Sequence, residues 1–591
     1  MNTIIRNVPT LHNGIMDKSV RFVLANQLKN ADMWKKFTEV FITREDSENE
    51  RWRGEYFGKQ MRGAVLTYLY TRDEELYDIL TDAVVDLLSS QDEFGRFSTY
   101  NVENEFKGWD TWCRKYVLVG LLYYCKIAKD IDLRNRILSA AKKHLDYIIE
   151  KIGDGEGKIC ITKTSSWWGC VNSCTILEPT LELYKATKEK KYLDFAEYII
   201  STGGCNDCNL VDLAFREDIY PYQYPVTKAY EMMSFYEGLL AYYEVTGEVR
   251  YFEAVSRFMD KVAQTDLTII GCSGCMQECF DNSSITQTEA REDIMQETCV
   301  TVTWMRVNRR LFELTGDTKY IDRLEISGFN ALYGSLNTEM NEQWCAEIEG
   351  YLKGKVFDSY SPLYMNVRGR GIGGYNDFLS GDYSGCCIAI GACAVALMPL
   401  TAIMQVEEKI YINLLFNGTA RLRDKNGKNV CIHMESNYPA DGYAKIIIQD
   451  DCCLKLYIRK PRWCSMMQVN GKEAEDSYFV LDQTYTKGDC IEINMQMNVQ
   501  TYSLHGKVSF AYGPLVLATD EQKTKRQLKK PISLENIKYQ KMTAKEGEIV
   551  RFACELEGED EELILTDYQS CGKKWLSDKA LMTAWFDRNI E

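Results

Sequence analysis

Up to about residue 405, apolar positions recur at helical spacing and are broken by a repeated turn. Tyr184 opens YKATKEKKYLDFA, Tyr243 opens YEVTGEVRYFEAV and Phe312 opens FELTGDTKYIDRL. In each, an apolar helix ends, a Thr-containing turn follows, and a new helix starts on an aromatic anchor. LYTRDEELYDIL around Thr71 repeats the logic, and YYCKIAKDIDLRNRIL around Lys129 repeats it more weakly. The junctions at Thr71, Lys129, Thr187, Thr246 and Thr315 recur roughly every 60 residues, which indicates stacked helical hairpins. A further helix pair is expected around 380–405. Six hairpins close into an (α/α)6 toroid; unclosed, the same hairpins form a solenoid.

The period then changes. KIYINLLFNG, KIIIQD, CLKLYIRKP, YFVLD, CIEINMQM and KVSFAYGPLVLA are short alternating or β-branched runs bounded by turn residues. The expected fold is multidomain α+β: an (α/α)6 toroid over 1–405, followed by C-terminal β-sandwich or jelly-roll domains over 406–591. IVRFACEL reads as one more strand within the Glu- and Lys-rich end of the chain.

A length of 591 residues agrees with more than one domain. The net charge of −16 disfavours non-specific binding to nucleic acid or an anionic membrane. The start, MNTIIRNVPTLHNGIMDKSV, has no basic-then-apolar leader. No apolar run reaches about 18 residues, so a cytoplasmic protein with no membrane span is expected. The 22 cysteines include the adjacent pairs Cys386-Cys387 and Cys452-Cys453, which suit free thiols in a reducing compartment. The 37 Tyr and 11 Trp read either as packing or as surfaces for sugar stacking.

Only four histidines exist: His12, His144, His433 and His505. A His-based metal site or a Ser-His-Asp triad is therefore disfavoured. A reactive cysteine here needs another way to stay ionised, and metal coordination provides one. Glu297-Thr298-Cys299 opens one strong helix pattern, and Cys386-Cys387 opens another after GIGGYNDFLSGDYSG. Three thiolates and a carboxylate from these positions would make a four-coordinate zinc site; the spacing by itself favours buried free thiols. Cys272-x2-Cys275-x3-Cys279 and Cys205-x2-Cys208 are weaker clusters, read as free thiols, with a second metal at the former as the alternative.

MQECFD, then ETC, then EISGFN, then SGCC together resemble glycoside hydrolase family 127, the β-L-arabinofuranosidase family. LKLYIRKPRW, QVNGKE, YTKGDCIEI and VSFAYGPLVLA resemble its downstream domain, and the likeness spans about residues 50–520. The resemblance implies an (α/α)6 barrel with β-sandwiches and a zinc ion held by Glu297, Cys299, Cys386 and Cys387. It implies Cys386 as nucleophile and Glu278 as general acid/base, with Asp281 as the fallback. The implied activity is retaining exo-hydrolysis of an oligosaccharide or glycoside, releasing L-arabinofuranose or a related pentose. Glu325 and Tyr360 are further pocket residues on this reading.

The family's pocket histidines are missing. The aligned positions are Tyr116, Ser173 and Tyr224. Trp109, Trp112, Trp167 and Trp168 are candidates for a pocket wall. Arg114, Lys115 and Lys228 could add positive charge suited to an acidic sugar. Two other readings are a polysaccharide lyase, which has no use for Cys386-Cys387, and a non-catalytic carbohydrate-binding protein stapled by zinc. A homodimer is carried as an expectation.

Overall fold

The structure is a computed structural model, describing residues 8–47, 51–291, 296–346, 348–378, 381–575 and 581–589. Thirteen helices matter here. They are α1 (Ile15–Val23), α2 (Ala31–Thr43), α3 (Glu55–Thr71), α4 (Glu74–Ser89), α5 (Asp110–Tyr124), α6 (Ile131–Lys151), α7 (Leu177–Thr187), α8 (Lys190–Ser201), α9 (Ala229–Thr246), α10 (Val249–Thr265), α11 (Thr298–Thr315), α12 (Thr318–Ser327) and α13 (Cys386–Ala402).

The repeated turn is one device used four times. Thr71, Thr187, Thr246 and Thr315 each donate their hydroxyl to the carbonyl four residues back, at 2.8–2.9 Å. Each hydroxyl also accepts the N–H of an acidic residue two positions on, at 3.3, 3.3, 3.2 and 3.1 Å. The residue between adopts a left-handed conformation: Arg72, Lys188, Gly247 or Gly316. One threonine thereby ends a helix and fixes the start of the next, while the acid stands at its N-cap. The weaker junction at Lys129 lacks the threonine and relies on Asp130, which caps α6.

Inner helices α3, α5, α7, α9, α11 and α13 pack in that order, and α13 returns against α3, closing the toroid. Helices buried on every side, such as α3 and α13, belong inside. The outer α10 buries only the stripe Ala254, Val255, Phe258, Met259 and Val262. Close approach of α3 to α5 requires Gly58, where a Cβ would fall 1.8 Å from the Tyr116 carbonyl oxygen.

The sixth hairpin corrects the sequence reading. Segment 380–405 supplies a single helix, α13, and its outer partner is α1 from the start of the chain. Gln27 Nε2 donates to the Ile388 carbonyl at 2.7 Å across this contact. No local periodicity links segments so distant in sequence.

Strand Ile403–Val406 follows α13 directly. A seven-stranded and a four-stranded sheet are built from strands within 403–495, and Thr10–Leu11 joins the former beside Gly418–Arg423. An eight-stranded sheet takes strands from Val499–Leu504 to Phe586–Asp587. Asn330 ties it to the barrel, donating to the Pro514 carbonyl and accepting from Val516 N–H, both at 2.8 Å. No described helix is long and apolar enough to cross a membrane.

Glu325 lies at the barrel–sandwich contact rather than in the pocket. Its carboxylate accepts from Arg459 Nη2 at 2.6 Å, from Trp463 Nε1 at 3.0 Å and from the Tyr438 hydroxyl. Arg459 also reaches Asp322 at 2.5 Å. Removing one member of a fully buried ion pair strands its partner. Glu325→Ala is expected to lower the unfolding free energy by about 3–5 kcal/mol in chemical denaturation, and Glu325→Ala/Arg459→Met to recover part of that loss.

Candidate active site

Two inner helices bring the sulfur atoms together. Glu297 is the N-cap of α11, with Cys299 in its first turn. Cys386 and Cys387 begin α13. Helix N-termini carry partial positive charge and favour thiolates. Two ribbons hold these ends: Gln296–Glu297 pairs with Tyr360–Ser361, and Tyr375–Phe378 pairs with Asp382–Gly385 immediately before Cys386.

Ligand atoms of Glu297, Cys299, Cys386 and Cys387 all lie within 4.8 Å of one another, and all four residues are buried. Cys386 Sγ is 3.5 Å from Cys299 Sγ and 4.0 Å from Cys387 Sγ, which is 3.9 Å from Glu297 Oε1. Sulfurs about 2.3 Å from a tetrahedral ion stand ~3.8 Å apart, so the spacing fits one metal ion. Glu297 Oε2 is buried with no hydrogen-bond partner, as a carboxylate turned toward a ligand would be. Among the described residues this is the single group of its kind. Cys272, Cys275 and Cys279 do not converge: Cys272 donates to the Glu297 carbonyl at 3.3 Å, and Cys279 to that of Gln277 at 3.5 Å.

Hydrogen bonds from the Cys299 and Cys387 thiols hold Cys386 well below the usual thiol range; burial opposes this, and Lys59 and Lys228 assist. Gly374, at φ +55°, lies against the same sulfur, and a Cβ there would fall 2.3 Å from Cys386 Sγ.

Glu278 sits on a turn in which both Gln277 and Glu278 are left-handed. Its carbonyl accepts from Ala229 N–H, at the start of α9, at 3.1 Å. The carboxylate pairs with Lys228 Nζ and accepts from the Tyr360 hydroxyl at 2.9 Å. Burial works against the Lys228 charge, but Glu278, Glu231 and Glu297 outweigh it and keep Lys228 protonated. Asp281, the fallback, instead accepts from Ser283 and Thr286 within its own turn.

One pocket of about 380 Å³ joins these groups. It is lined by Cys386, Glu297, Glu278, Lys228, Trp112, Trp109, Trp167 and Trp168, as the sequence suggested, and by Trp52, Glu55, Lys59, Tyr230, Glu231 and Gly374, which it did not. Glu55 and Lys59 are four residues apart on α3 and pair at 2.8 Å. That spacing reads in sequence as a surface ion pair, yet both are buried. Burial pushes the Glu55 carboxyl up to about 7 despite Lys59 beside it, and Trp112 Nε1 donates to its other oxygen.

Several expected residues stand back from the pocket. Tyr116 is hydrogen-bonded to Tyr230 behind the lining. Tyr224 donates to the Leu213 carbonyl at 2.9 Å inside the barrel wall. Ser173 is fully buried in the short helix Val171–Cys174. Arg114 is paired with Asp110 and Glu105. Lys115 lies over the Trp112 ring at 4.5 Å, and burial brings its amine down to about 7. The positive charge expected of Arg114 and Lys115 therefore does not reach the pocket.

Elemental analysis of the dialysed protein is expected to give one equivalent of a thiophilic divalent metal per chain. Gly374→Ala is expected to lose it, because its methyl would occupy the place of the Cys386 sulfur, while Cys275→Ala keeps it. Full retention in Cys386→Ala would show that Cys386 is not a ligand.

The family model for the β-L-arabinofuranosidase GH127 catalytic domain matches residues 3–344, and that for the GH127 middle domain matches 409–497. A non-reducing end β-L-arabinofuranosidase from Bifidobacterium longum subsp. longum is 22% identical over 517 residues, covering 78% of this chain and 74% of that protein. A solved GH127 β-arabinofuranosidase superposes with a TM-score of 0.75 at 17% identity, over 98% of this chain and 97% of that one. A GH127 β-L-arabinofuranosidase from Geobacillus stearothermophilus gives 0.75 at 17% identity, over 98% and 100%. These structures share the fold: a helical toroid followed by β domains. Since the catalytic-domain match alone takes in more than half of the sequence, the chain belongs to the GH127 β-L-arabinofuranosidase family and is a glycosidase.

Proposed function

We propose that the protein is a retaining exo-glycosidase that releases a terminal L-arabinofuranose or related neutral pentose, with Cys386 as nucleophile, Glu278 as general acid/base and zinc as the bound metal. The observation that carries this reading is the pocket itself, lined by the Cys386 thiol among its three partner ligands and by a carboxylate held by Lys228 and Tyr360. Its modest volume suits the end of a glycoside, a terminal sugar and its neighbour, rather than a long threaded chain.

Glu297, Cys299, Cys386 and Cys387 would hold the zinc ion. Bound there, it would supply the positive charge that keeps the thiols ionised at neutral pH. Cys386 Sγ attacks the anomeric carbon as the glycosidic C–O bond breaks, giving a thioether-linked glycosyl-enzyme. Glu278 gives its proton to the departing oxygen, then takes one from the water that cleaves the C–S bond. Two displacements at one carbon retain its configuration. Lys228 and Tyr360 hold the Glu278 carboxylate in place between the two steps.

Charge in the lining supports a neutral sugar. Four carboxylates, Glu55, Glu231, Glu278 and Glu297, face two ammonium groups, Lys59 and Lys228, and each ammonium is paired with one of them. An acidic sugar would meet no free cation there. The described cysteines are all free thiols, which supports a reducing, cytoplasmic setting.

On an aryl L-arabinofuranoside, Cys386→Ala is expected to lower kcat/KM, and Glu278→Ala to lower kcat, each by on the order of 10³ or more. Azide should restore turnover to Glu278→Ala, giving a glycosyl azide of retained configuration by NMR. An inverted azide would overturn the two-step mechanism, and wild-type turnover by Cys386→Ala would remove that thiol from the chemistry.

A further inference from the structure

The pocket's tryptophans form a continuous path from floor to mouth. Trp112, on α5, is 1% exposed. Its ring meets Trp109 edge-on at 5.9 Å, and Trp109 stacks on Trp167 at 6.3 Å and 25°. Trp52 packs tilted against Trp109 at 5.8 Å. Trp167 is 36% exposed and is the one Trp among the large exposed apolar residues described. It is the outermost member of a contiguous aromatic cluster in the pocket lining, and a contiguous apolar surface of this kind marks a binding site.

The path begins at both reacting groups. Trp52 Nε1 donates to the Gly374 carbonyl at 3.3 Å, beside the Cys386 sulfur. The Trp168 ring lies 5.4 Å under Lys228 Nζ, the partner of Glu278. A leaving group departs on the side of the acid/base, and there it meets the Trp167-Trp168 loop.

That loop is held in a costly shape. Trp168, Gly169 and Cys170 are successive left-handed residues, at φ 51, 58 and 68°. Cys170 Sγ reaches the carbonyls of Ile161 and Ser165, both at 3.3 Å. Asn206 N–H donates to the Gly169 carbonyl at 2.9 Å. The loop presents its indoles before any ligand arrives, which lowers the ordering penalty of binding.

We infer that Trp167, backed by Trp109, forms a stacking platform for the leaving group, and that this group is a second neutral sugar in its pyranose form. The inference rests on the proposed glycosidase mechanism. A pyranose offers a flat patch of C–H bonds to an indole face, while the carboxylate-rich lining repels an anionic one.

Three probes test it: L-arabinofuranosyl-galactose, its galacturonic acid counterpart and methyl L-arabinofuranoside. Trp167→Ala is expected to lower the kcat/KM ratio of the galactose disaccharide over the methyl glycoside at least tenfold, and Trp167→Phe to restore most of it. An unchanged ratio, or a phenylalanine as poor as alanine, would overturn the platform. Tryptophan fluorescence reads binding separately from bond cleavage. The wild type should bind the galactose disaccharide at least tenfold tighter than either other probe. Equal affinity for the uronate would overturn the neutral assignment, and equal affinity for the methyl glycoside the platform itself. Tight binding of the disaccharide with no hydrolysis would uphold the platform and refute the glycosidase reading.

Discussion

Three thiols and a carboxylate share a space 4.8 Å across inside the protein, and the architecture answers to that crowding. Ionised together in a low-dielectric interior, such groups would repel strongly. The fold meets this with opposing charge from several directions. The first turns of α11 and α13 point backbone N–H groups at the cluster, with Cys299 N–H 3.4 Å from Cys387 Sγ. Lys59 approaches from α3 and Lys228 from the segment before α9. A metal ion would complete the compensation, and the donor spacing fits one.

These contributions come from parts of the chain that meet only when the toroid closes. Lys59 lies on the helix that receives α13, and α1 seals the same junction from outside. Site assembly and ring closure are therefore one event. The β domains reinforce it from the far side, where the Glu325–Arg459 pair and Asn330 fix α12 and the turn after it to the sandwiches. A glutamate that resembles a pocket residue in sequence thus serves the closure that makes the pocket.

Legibility in sequence followed the range of each interaction. The hairpins were legible because Thr71, Thr187, Thr246 and Thr315 act within six residues of themselves. The metal cluster was legible because two pairs of its ligands are close in sequence: Glu297 with Cys299, and Cys386 with Cys387. Lys59 and Glu55 were not, since burial alone separates their role from that of any exposed Glu–Lys pair, and burial comes from α5 and α13. Ser173 and Tyr224 failed for a related reason. Their alignment assumed an inherited pocket outline, but the present lining comes from Trp52, Tyr230 and Glu231 instead.

The scarcity of histidine gives the pocket its character. Imidazoles would place hydrogen-bonding edges around a sugar and would titrate near neutral pH. Here carboxylate–ammonium pairs, each ammonium fixed to its own glutamate, stand beside indoles that run from the floor to the mouth. The pairs hold charge in fixed positions about the Cys386 sulfur. The indoles carry no charge, so they extend the surface outward without disturbing that balance. A sequence drifting at the rim can change its partner sugar while the constraint on four crowded ligands keeps the centre as it is.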